Sequence, residues 1–470
     1  MRGPTLARMA TTLLILGASG DLAARLLLPA LGQLLGREPD REVRLLGAGA
    51  EDWDAERWRE TVARAFVAGG ARAELDRVED SRYRRADVTD PEALGELLAE
   101  AGSVGPLVVY FALPPAITRA CCAALEGLAL PEPTTLALEK PFGDDAASAR
   151  ELNAVLGRLV PAERIFRVDH FLGRSMLLNL LSVRLANRVF APIWSAEHVE
   201  SVDIRFDETL ALEGRARYYD HAGALVDMLQ SHLLQVLALV ALEPPGSLDA
   251  AGLGAARTAA LRATRVLGDD PVAASRRGRY TAGRIGDRTV SSYVDEPGVD
   301  PARGTETFAE LTCEVDDERW AGVPFRLRSG KALAARRSEV VLTLRPVRHL
   351  DAGFLGEVPD GGRLAFHLGP DELRLELNTT GGPDPFRLRR DTLTAPLGDG
   401  QLLAYSEVLA ELLDGDVTLS VGAEAAEECW RIVAPVREAW AAGRVPLEDY
   451  AAGSEGPAAR LPGAARARRR

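Results

Sequence analysis

Two lysines stand out among the residues of this chain that could do chemistry. The 470-residue sequence contains 56 lysine and arginine residues, and Lys140 and Lys331 are the only two lysines among them. The compact ammonium of lysine has roles that the planar guanidinium of arginine cannot fill, because the two groups differ in shape, hydration and donor geometry. We therefore predict a chemical role for both lysines. The alternative is that two lysines remain by chance.

A glycine-containing turn near the start of the chain has the pattern of a dinucleotide site. A short apolar run at 13–16 leads into the sequence GASGDLA at 17–23. Gly17 permits a tight turn, Gly20 lets the backbone approach a pyrophosphate, and Ala23 is small where a helix packs on a strand. The free N–H groups of that helix would bind the phosphates. The spacing is GxxGxxA rather than GxGxxG, so a tight strand–helix turn without a ligand is the alternative.

The end of the second predicted strand is the part of such a fold that contacts the adenine ribose. This segment reads LGAGAED at 46–52, in which Ala50 is followed by Glu51 and Asp52. An arginine there would bind a 2′-phosphate, whereas an acid would accept a hydrogen bond from a free 2′-hydroxyl. The segment has two acids and no arginine, so the sequence favours NAD or the use of both NAD and NADP.

The elements that must position these residues fall into two patterns along the chain. Short apolar runs alternate with helical patterns up to residue 168, which predicts a doubly wound parallel sheet of the α/β Rossmann type. Beyond that point helices and strands do not alternate strictly, which predicts an α+β domain with a large, mostly antiparallel sheet. The predicted strands lie at 13–16, 43–46, 107–111, 135–138, 201–206, 339–344, 372–377 and 417–419, and the predicted helices of the second part at 175–190 and 225–242.

These patterns give a prediction of the domain ranges. We expect a loose tail at 1–10, a Rossmann domain at 11–168, an α+β substrate and dimerisation domain at 169–452, and a disordered basic tail at 453–470, which is rich in Gly, Pro, Ala and Arg. A chain of 470 residues is too long for one ordinary core, so two domains are also the prior from length.

Composition excludes several classes of protein. The net charge of −13 argues against nucleic-acid binding, so an anionic substrate would need a local cationic pocket. We expect no membrane span, and the run at 13–16 is too short for a signal-peptide core. The cysteines, Cys121, Cys122, Cys313 and Cys429, lack CxxC spacing, so we predict neither a metal site nor disulfides and expect free thiols in a cytoplasmic protein.

Several motifs, in chain order, resemble those of the glucose-6-phosphate dehydrogenase family. The loop GASGDLA at 17–23 resembles the coenzyme loop of that family, and EKPFG at 139–143 is identical to a family motif. The segment RVDHFLGR at 167–174 resembles the family signature RIDHYLGK. The likeness continues through FAPIW at 190–194, QSHLLQ at 230–235 and RSGKAL at 328–333.

The resemblance implies a fold and an activity. The family has a Rossmann domain followed by an α+β domain, and it assembles into homodimers or homotetramers through the large sheet. It oxidises glucose 6-phosphate at C1 to 6-phosphogluconolactone with NADP or NAD, the first step of the oxidative pentose phosphate pathway. The cofactor positions implied for this chain are Gly17, Ala18, Ser19, Gly20, Asp21, Leu22, Ala50 and Lys140.

The resemblance also implies roles for individual polar residues. His232 would be the base that takes the C1 hydroxyl proton, and Asp169 would orient it, as in any His–Asp pair. For an isolated histidine on a buried helix, a satisfied core residue is the alternative. Pro141 resembles a cis-proline that positions Lys140. The implied substrate-binding residues are His170, Arg174 and Arg336 towards the phosphate, Glu208, Asp227 and Lys331 towards the sugar, and Lys140, which would reach both sugar and coenzyme.

The sequence departs from the family pattern at a few of these positions. Leu26 and Ala50 replace, respectively, a lysine near the active site and the arginine that binds the 2′-phosphate. Arg174 stands where lysine is usual, Phe171 where many members have a phosphate-binding tyrosine, and Glu455 where tryptophan is usual. The first two changes bear on substrate affinity and coenzyme preference.

Two other functions remain open at this point. Sugar oxidoreductases that act on non-phosphorylated or inositol-type substrates also carry EKP after a Rossmann domain, which would explain Lys140 but not the segment at 169–174. A catalytically idle paralogue would be compatible with Leu26 and Ala50. The presence of Asp169, His232 and Lys331 argues against such an idle copy.

Overall fold

The computed structural model describes residues 10–173, 175–214, 216–348, 361–380, 386–397 and 404–458. The chain forms two compact units, each built from segments that are separate in sequence. The first unit comprises Met1–Asn187, Ala238–Arg262 and Gly398–Arg431. The second comprises Arg188–Leu237, Ala263–Leu397 and Ile432–Arg470.

Strands and helices are numbered in chain order over the described residues. The strands are β1 (Thr11–Leu16), β2 (Val43–Gly49), β3 (Arg82–Arg85), β4 (Leu107–Phe111), β5 (Thr134–Leu138), β6 (Ile165–Arg167), β7 (Val199–Asp207), β8 (Thr264–Val266), β9 (Ser275–Thr281), β10 (Gly283–Ile285), β11 (Arg288–Val290), β12 (Phe308–Val315), β13 (Phe325–Gly330), β14 (Arg337–Leu344), β15 (Arg363–Leu368), β16 (Asp371–Thr380), β17 (Leu388–Pro396) and β18 (Leu447–Ala451). The α-helices are α1 (Leu28–Arg37), α2 (Ala55–Ala68), α3 (Pro91–Ala101), α4 (Pro115–Leu125), α5 (Ala146–Leu159), α6 (Ser175–Ala186), α7 (Ala216–Ala224), α8 (Leu234–Ala241), α9 (Ala250–Ala263), α10 (Ala404–Asp414) and α11 (Ala423–Ala441).

The first unit contains a parallel sheet with the strand order β3-β2-β1-β4-β5-β6. This is the order of a Rossmann fold, in which the chain reverses direction across the sheet next to β1. Strands β1, β2, β4 and β5 confirm the predicted apolar runs. Strand β3 was not predicted, because its sequence RYRR is polar and it lies at the exposed edge of the sheet.

Helix starts in the first unit follow from local capping. Asp54 precedes α2 and accepts a hydrogen bond from the backbone N–H of Arg57 at 2.8 Å. Asp145 and Ser148 form a capping box at the start of α5. Each contact satisfies N–H groups that have no partner within the helix. The apolar faces of α1 and α2 then pack on β1 and β2 around Leu31.

The segment 416–421 belongs to the first unit and is a turn. We predicted a strand at 417–419 from its apolar residues, and that prediction is wrong. Asp416 Oδ1 accepts hydrogen bonds from the backbone N–H of Thr418 at 2.9 Å and from its hydroxyl at 2.6 Å, which closes a local turn. The turn is then fixed to β6, because Arg167 donates its N–H to the Ser420 hydroxyl and accepts from Val421 N–H.

The second unit contains a large mixed sheet in which most neighbours are antiparallel. Over the described residues its order is β17-β16-β15-β14-β7-β13-β12-β9-β18, with β8 also paired to β12. Only the pairs β7–β13 and β9–β18 within this sheet run parallel. The α+β prediction with a large, mostly antiparallel sheet is confirmed.

A buried helical segment follows α7 and carries two of the predicted site residues. Leu225–Leu233 has π-helical hydrogen bonding and continues directly into α8, so the predicted helix at 225–242 is present with a wider first part. Gly223, with φ of +64°, interrupts α7 just before this segment. Glu306 accepts the N–H of Leu225 at 3.0 Å, which satisfies one of the first N–H groups of this segment. No pattern in the sequence predicts these π-turns.

The run Tyr218–Ala241 is long and apolar enough to cross a membrane, with a mean hydropathy of 1.6. This differs from the sequence prediction, in which no membrane span is expected. Within this run, 83% of the most apolar window is buried inside the protein, as in the core helix of a soluble protein. Length and composition alone are weak evidence for a membrane span, and burial favours a core helix.

The described part of the C-terminal tail is ordered against the second unit. Ser454 O accepts from Ala334 N–H at 2.8 Å, and Glu455 O accepts from Arg328 at 2.7 Å. The Glu455 carboxylate lies 3.0 Å from Arg337. Residues 453–458 therefore depart from the disordered tail predicted over 453–470. Residues 459–470, and residues 1–9 of the predicted N-terminal tail, lie outside the described residues.

Candidate active site

The glycine turn after β1 is shaped by backbone contacts at the carboxyl ends of three strands. Gly17 has φ of +84°, and a Cβ there would lie 2.3 Å from Ala112 O, so only glycine fits. The N–H groups of Gly17 and Ala18 both donate to Ala48 O, at 2.8 and 2.9 Å. Gly20 N–H closes the turn on Gly17 O at 3.0 Å. The turn lies at the edge of the sheet where Rossmann folds bind a pyrophosphate.

The ribose end of this edge is acidic. Ser19 donates its hydroxyl to the Glu51 carboxylate, and this hydrogen bond lowers the pKa of Glu51. Tyr83 donates its hydroxyl to Glu51 O at 3.1 Å. Ala50, between β2 and Glu51, is exposed and has no group that could hold a phosphate. The turn and the end of β2 are thus joined through the Ser19–Glu51 hydrogen bond.

Two arginines of β3 lie near this edge, and they differ in availability. Arg84 forms two hydrogen bonds to Glu100, at 2.8 and 3.2 Å. Arg85, directly opposite Gly49 in the β2–β3 pairing, lies 3.5 Å from Asp52 and is largely exposed. Arg85 therefore has an exposed, solvent-screened partner, whereas Arg84 is held by two hydrogen bonds to Glu100.

The motif EKPFG follows β5 at the same end of the sheet. Glu139 is half-buried and accepts hydrogen bonds from Tyr110 Oη at 2.5 Å and Tyr405 Oη at 3.2 Å. Burial raises the pKa of Glu139 to about 7, although both hydroxyls and the neighbouring Lys140 act to lower it. The Lys140–Pro141 peptide bond is cis, as the resemblance implied.

Asp169 and His170 follow β6, the next strand of the sheet. Asp169 is buried and accepts the N–H of Phe171 at 2.9 Å. Desolvation raises the pKa of Asp169 to about 6, against the lowering effects of His170, Lys140 and Arg257. Asp169 is therefore mainly a carboxylate at neutral pH. The first unit thus brings the predicted residues Lys140, Asp169 and His170 to one end of its sheet.

Sequence reasoning missed two residues that support this cluster. Tyr405, on α10, stacks on the His170 ring with centroids 5.4 Å apart and planes inclined by 15°. Arg257, on α9, is buried and donates to Ser420 O at 2.7 Å, and burial lowers its pKa to about 10. Both residues are distant in sequence from Asp169 and His170 and lie outside every motif, so no local pattern could have found them.

In the second unit, Glu208 and Lys331 form a close ion pair. Lys331 Nζ lies 2.6 Å from Glu208 Oε2 and 5.0 Å from the centroid of the Tyr219 ring. The two residues follow the parallel strands β7 and β13, whose ends are tied by Glu208 N–H donating to Gly330 O at 2.8 Å. The Lys331 side chain is only 7% exposed, so the ammonium is held in place.

For the other predicted site residues, the structure gives a position in the fold but few side-chain contacts. Asp227 and His232 both lie on the π-helical segment Leu225–Leu233, and His232 is 1% exposed. Asp227 is close enough to Tyr219 to contribute to raising its pKa. Arg336 is exposed, just before β14. Arg174 lies outside the described residues.

Comparisons with known proteins match the whole chain to one family. The family model "Glucose-6-phosphate dehydrogenase, NAD binding domain" matches residues 14–179, and "Glucose-6-phosphate dehydrogenase, C-terminal domain" matches residues 181–469. The chain is 38% identical to glucose-6-phosphate 1-dehydrogenase of Gluconobacter oxydans, with 94% of each chain covered. It is 33% identical to the enzyme of that name from Zymomonas mobilis, over 95% of this chain and 96% of the relative.

Solved structures give the same result. Glucose-6-phosphate 1-dehydrogenase from Mycobacterium avium superposes with a TM-score of 0.84 at 33% identity, over 96% of this chain and 95% of that one. A glucose-6-phosphate dehydrogenase in complex with glucose 6-phosphate gives a TM-score of 0.82 at 28% identity, over 97% and 96% of the two chains. This chain belongs to the glucose-6-phosphate dehydrogenase family.

Proposed function

We infer that this chain oxidises glucose 6-phosphate at C1 to 6-phosphogluconolactone, with hydride transfer to NAD or NADP, as the first step of the oxidative pentose phosphate pathway. The observation that carries this inference is the match of both family models to nearly the entire chain. The reaction removes a proton from the C1 hydroxyl and a hydride from C1. The protein must therefore supply a base, hold the sugar phosphate, and place the nicotinamide against C1.

The proposed base is His232, oriented by Asp169. A neutral imidazole suits proton removal near pH 7. Burial of His232 keeps water from competing for the proton, and the carboxylate form of Asp169 would stabilise the imidazolium that forms. Asp169 would lose this capacity as the pH falls through about 6, because it is then protonated.

The proposed substrate contacts divide by chemistry. His170, Arg174 and Arg336 would donate to the phosphate, with Lys140 between the sugar and the coenzyme. Glu208, Asp227 and Lys331 would hydrogen-bond the sugar hydroxyls. The Lys331–Glu208 ion pair supports this division, because it fixes a donor and an acceptor before the substrate binds.

The coenzyme would be NAD, or NAD and NADP with similar efficiency. Pyrophosphate would bind at 17–22, and the ribose at Ala50 and Glu51. Glu51, held by Ser19, would accept a hydrogen bond from a free 2′-hydroxyl and repel a 2′-phosphate. Arg85 opposes this preference, since it lies beside the end of β2 and could bind a phosphate.

The remaining features follow from the sequence predictions. We propose the domain ranges 11–168 and 169–452, a homodimer or homotetramer formed through the large sheet, and a cytoplasmic location without nucleic-acid or membrane partners. The test of the proposed activity is product identification after incubation with glucose 6-phosphate and either coenzyme. A lactone lighter than the substrate by two hydrogens, formed together with an equal amount of reduced coenzyme, is expected. Absence of both products with both coenzymes would refute the proposed activity.

A further inference from the structure

The half-buried carboxyl group of Glu139 lies between two tyrosines at the carboxyl end of the parallel sheet. Tyr110 lies within strand β4, and Tyr405 lies on helix α10, far along the chain. Both hydroxyls donate to the same oxygen, Glu139 Oε1, at 2.5 and 3.2 Å. The pKa of both tyrosines is raised, mainly by burial, so both hydroxyls stay protonated and the direction of these hydrogen bonds is fixed.

Tyr405 carries this contact to a proposed substrate ligand. Its ring stacks on the His170 ring with the planes inclined by 15° and the centroids 5.4 Å apart. The helix that bears Tyr405 is itself anchored, because Ser406 donates to Gln33 at 3.1 Å and Glu407 accepts from Arg37 at 3.1 Å. The Tyr405 side chain is therefore held at its hydroxyl by Glu139, and the face of its ring limits the orientation of the His170 imidazole.

A solely structural role does not account for this arrangement well. Removing the Glu139 carboxyl group from water costs free energy, and its charged neighbours, Lys140 and Asp169, act on its pKa in opposite directions. A neutral or apolar residue would fill the same space at lower cost. Retaining a carboxylate that two hydroxyls hold in place is explained if the position of at least one hydroxyl matters for binding.

We propose that Glu139 is a positioning residue for the sugar phosphate: it holds the Tyr405 hydroxyl, and Tyr405 in turn sets the orientation of the His170 ring. The proposal deepens the proposed function and rests on its assignment of His170 to the substrate phosphate. Glu139 touches neither substrate nor coenzyme in this scheme. Its effect reaches the substrate through one hydrogen bond and one ring stack.

The experiment is a double-mutant cycle with Glu139→Leu, Tyr405→Phe and the combined variant, since leucine has no acceptor for the Tyr405 hydroxyl. Each single change removes one end of the Glu139–Tyr405 contact and should raise KM for glucose 6-phosphate about threefold to tenfold, the effect of one hydrogen bond. The kcat and the KM for the coenzyme should stay close to those of the unmodified enzyme. Because both changes break one link, the combined variant should be no worse than the worse single variant.

Two further variants separate the proposed link from a general loss of packing. Tyr110→Phe removes the other hydroxyl from Glu139 but leaves both the Glu139–Tyr405 hydrogen bond and the Tyr405–His170 stack in place, so it should leave KM for the sugar phosphate nearly unchanged. Tyr405→Leu removes the stacked ring as well and should raise that KM more than Tyr405→Phe. Thermal unfolding of all variants provides the check on folding. Additive effects in the cycle, or an equal rise of KM in Tyr110→Phe, would overturn the proposal.

Calorimetric binding of glucose 6-phosphate to each protein distinguishes this proposal from the proposed function. If the unmodified chain binds the sugar phosphate without oxidising it, the proposed function is wrong. The double-mutant cycle can then still be measured as changes in the Kd for glucose 6-phosphate. Additive changes in Kd contradict the positioning role in either case. If Glu139→Leu mainly lowers kcat or weakens coenzyme binding, Glu139 acts through Lys140, and the proposal is wrong.

Discussion

Lys331 and Glu208 are joined by an ion pair of 2.6 Å at the adjacent ends of two parallel strands. The ammonium also lies 5.0 Å from the Tyr219 ring centroid, where a cation is attracted to the ring face. Lys331 O accepts a hydrogen bond from Tyr450 at 2.7 Å, so both the backbone and the side chain are fixed. One of the two lysines of the chain therefore occupies a site built to the size of an ammonium.

This geometry predicts that arginine cannot replace Lys331. The longer, planar guanidinium of Lys331→Arg would displace either Glu208 or Tyr219, and we expect kcat/KM for glucose 6-phosphate to fall by about a hundredfold, equivalent to losing one charged hydrogen bond. The matched control is Arg326→Lys on strand β13, where the exposed guanidinium lies 3.4 Å from Asp203. The measurement is kcat/KM for glucose 6-phosphate in the two variants, and Arg326→Lys should stay close to the unmodified enzyme. A fully active Lys331→Arg enzyme would mean that the scarcity of lysine carries no functional information.

The base is tested by His232→Asn, which keeps a polar side chain of similar size. We expect kcat to fall by roughly 10²–10⁴, the usual contribution of a general base, with KM for the sugar phosphate changed little. His198→Asn is the control, because His198 is a half-buried histidine of the second unit that has no proposed role in the reaction. A kcat within a few-fold of the unmodified value would make His232 a buried core residue instead.

Coenzyme preference depends on the end of β2. Ala50→Arg should shift the ratio of kcat/KM values towards NADP, because a guanidinium would pair with the 2′-phosphate. Glu51→Gln should shift it in the same direction by removing the negative charge that Ser19 holds in place. A preference for NADP of about a hundredfold in the unmodified enzyme would contradict this interpretation. Its loss in Arg85→Ala would then identify Arg85 as the cation responsible.

Buried carboxyl groups predict how stability depends on pH. Desolvation raises the pKa of Glu306 from 4.5 to about 7, against hydrogen bonds from Leu225 N–H and nearby arginines. The native state therefore holds a proton between these pH values that the unfolded chain has lost. Stability from this group is present below about pH 4.5 and declines as the pH rises through 7.

Glu306→Gln should weaken that decline, since glutamine stays neutral and can still accept the Leu225 N–H. In the unmodified protein, Glu306 should lower the free energy of unfolding by at most on the order of 3 kcal/mol between pH 5 and 8, and the variant should lack this decrease. Midpoints of thermal unfolding at several pH values measure it, with Glu310→Gln, half-buried on β12, as the control. An unchanged pH dependence in Glu306→Gln would show that this carboxyl group has no raised pKa.

Prediction from the sequence succeeded where the information is local. Residues 13–16 of β1 and all of β4 are buried, nearly continuous apolar runs, and Gly17 is marked by a turn that no other residue fits. It failed at β3, whose polar sequence depends on pairing with β2, and at 417–419, where Asp416 and Ser420 close a turn. Tyr405 and Arg257 could not be found at all, because their contacts with the Asp169–His170 segment arise only from the fold of the first unit.

The most direct test of the account is the comparison of glucose 6-phosphate with glucose as substrates, each with NAD and with NADP. If cations hold the phosphate as proposed, kcat/KM for glucose 6-phosphate should exceed that for glucose by about a thousandfold, as expected for two charge-assisted hydrogen bonds. Formation of reduced coenzyme follows the reaction in all four assays. Equal efficiency with both sugars, or no reduced coenzyme from glucose 6-phosphate with either dinucleotide, would contradict the account.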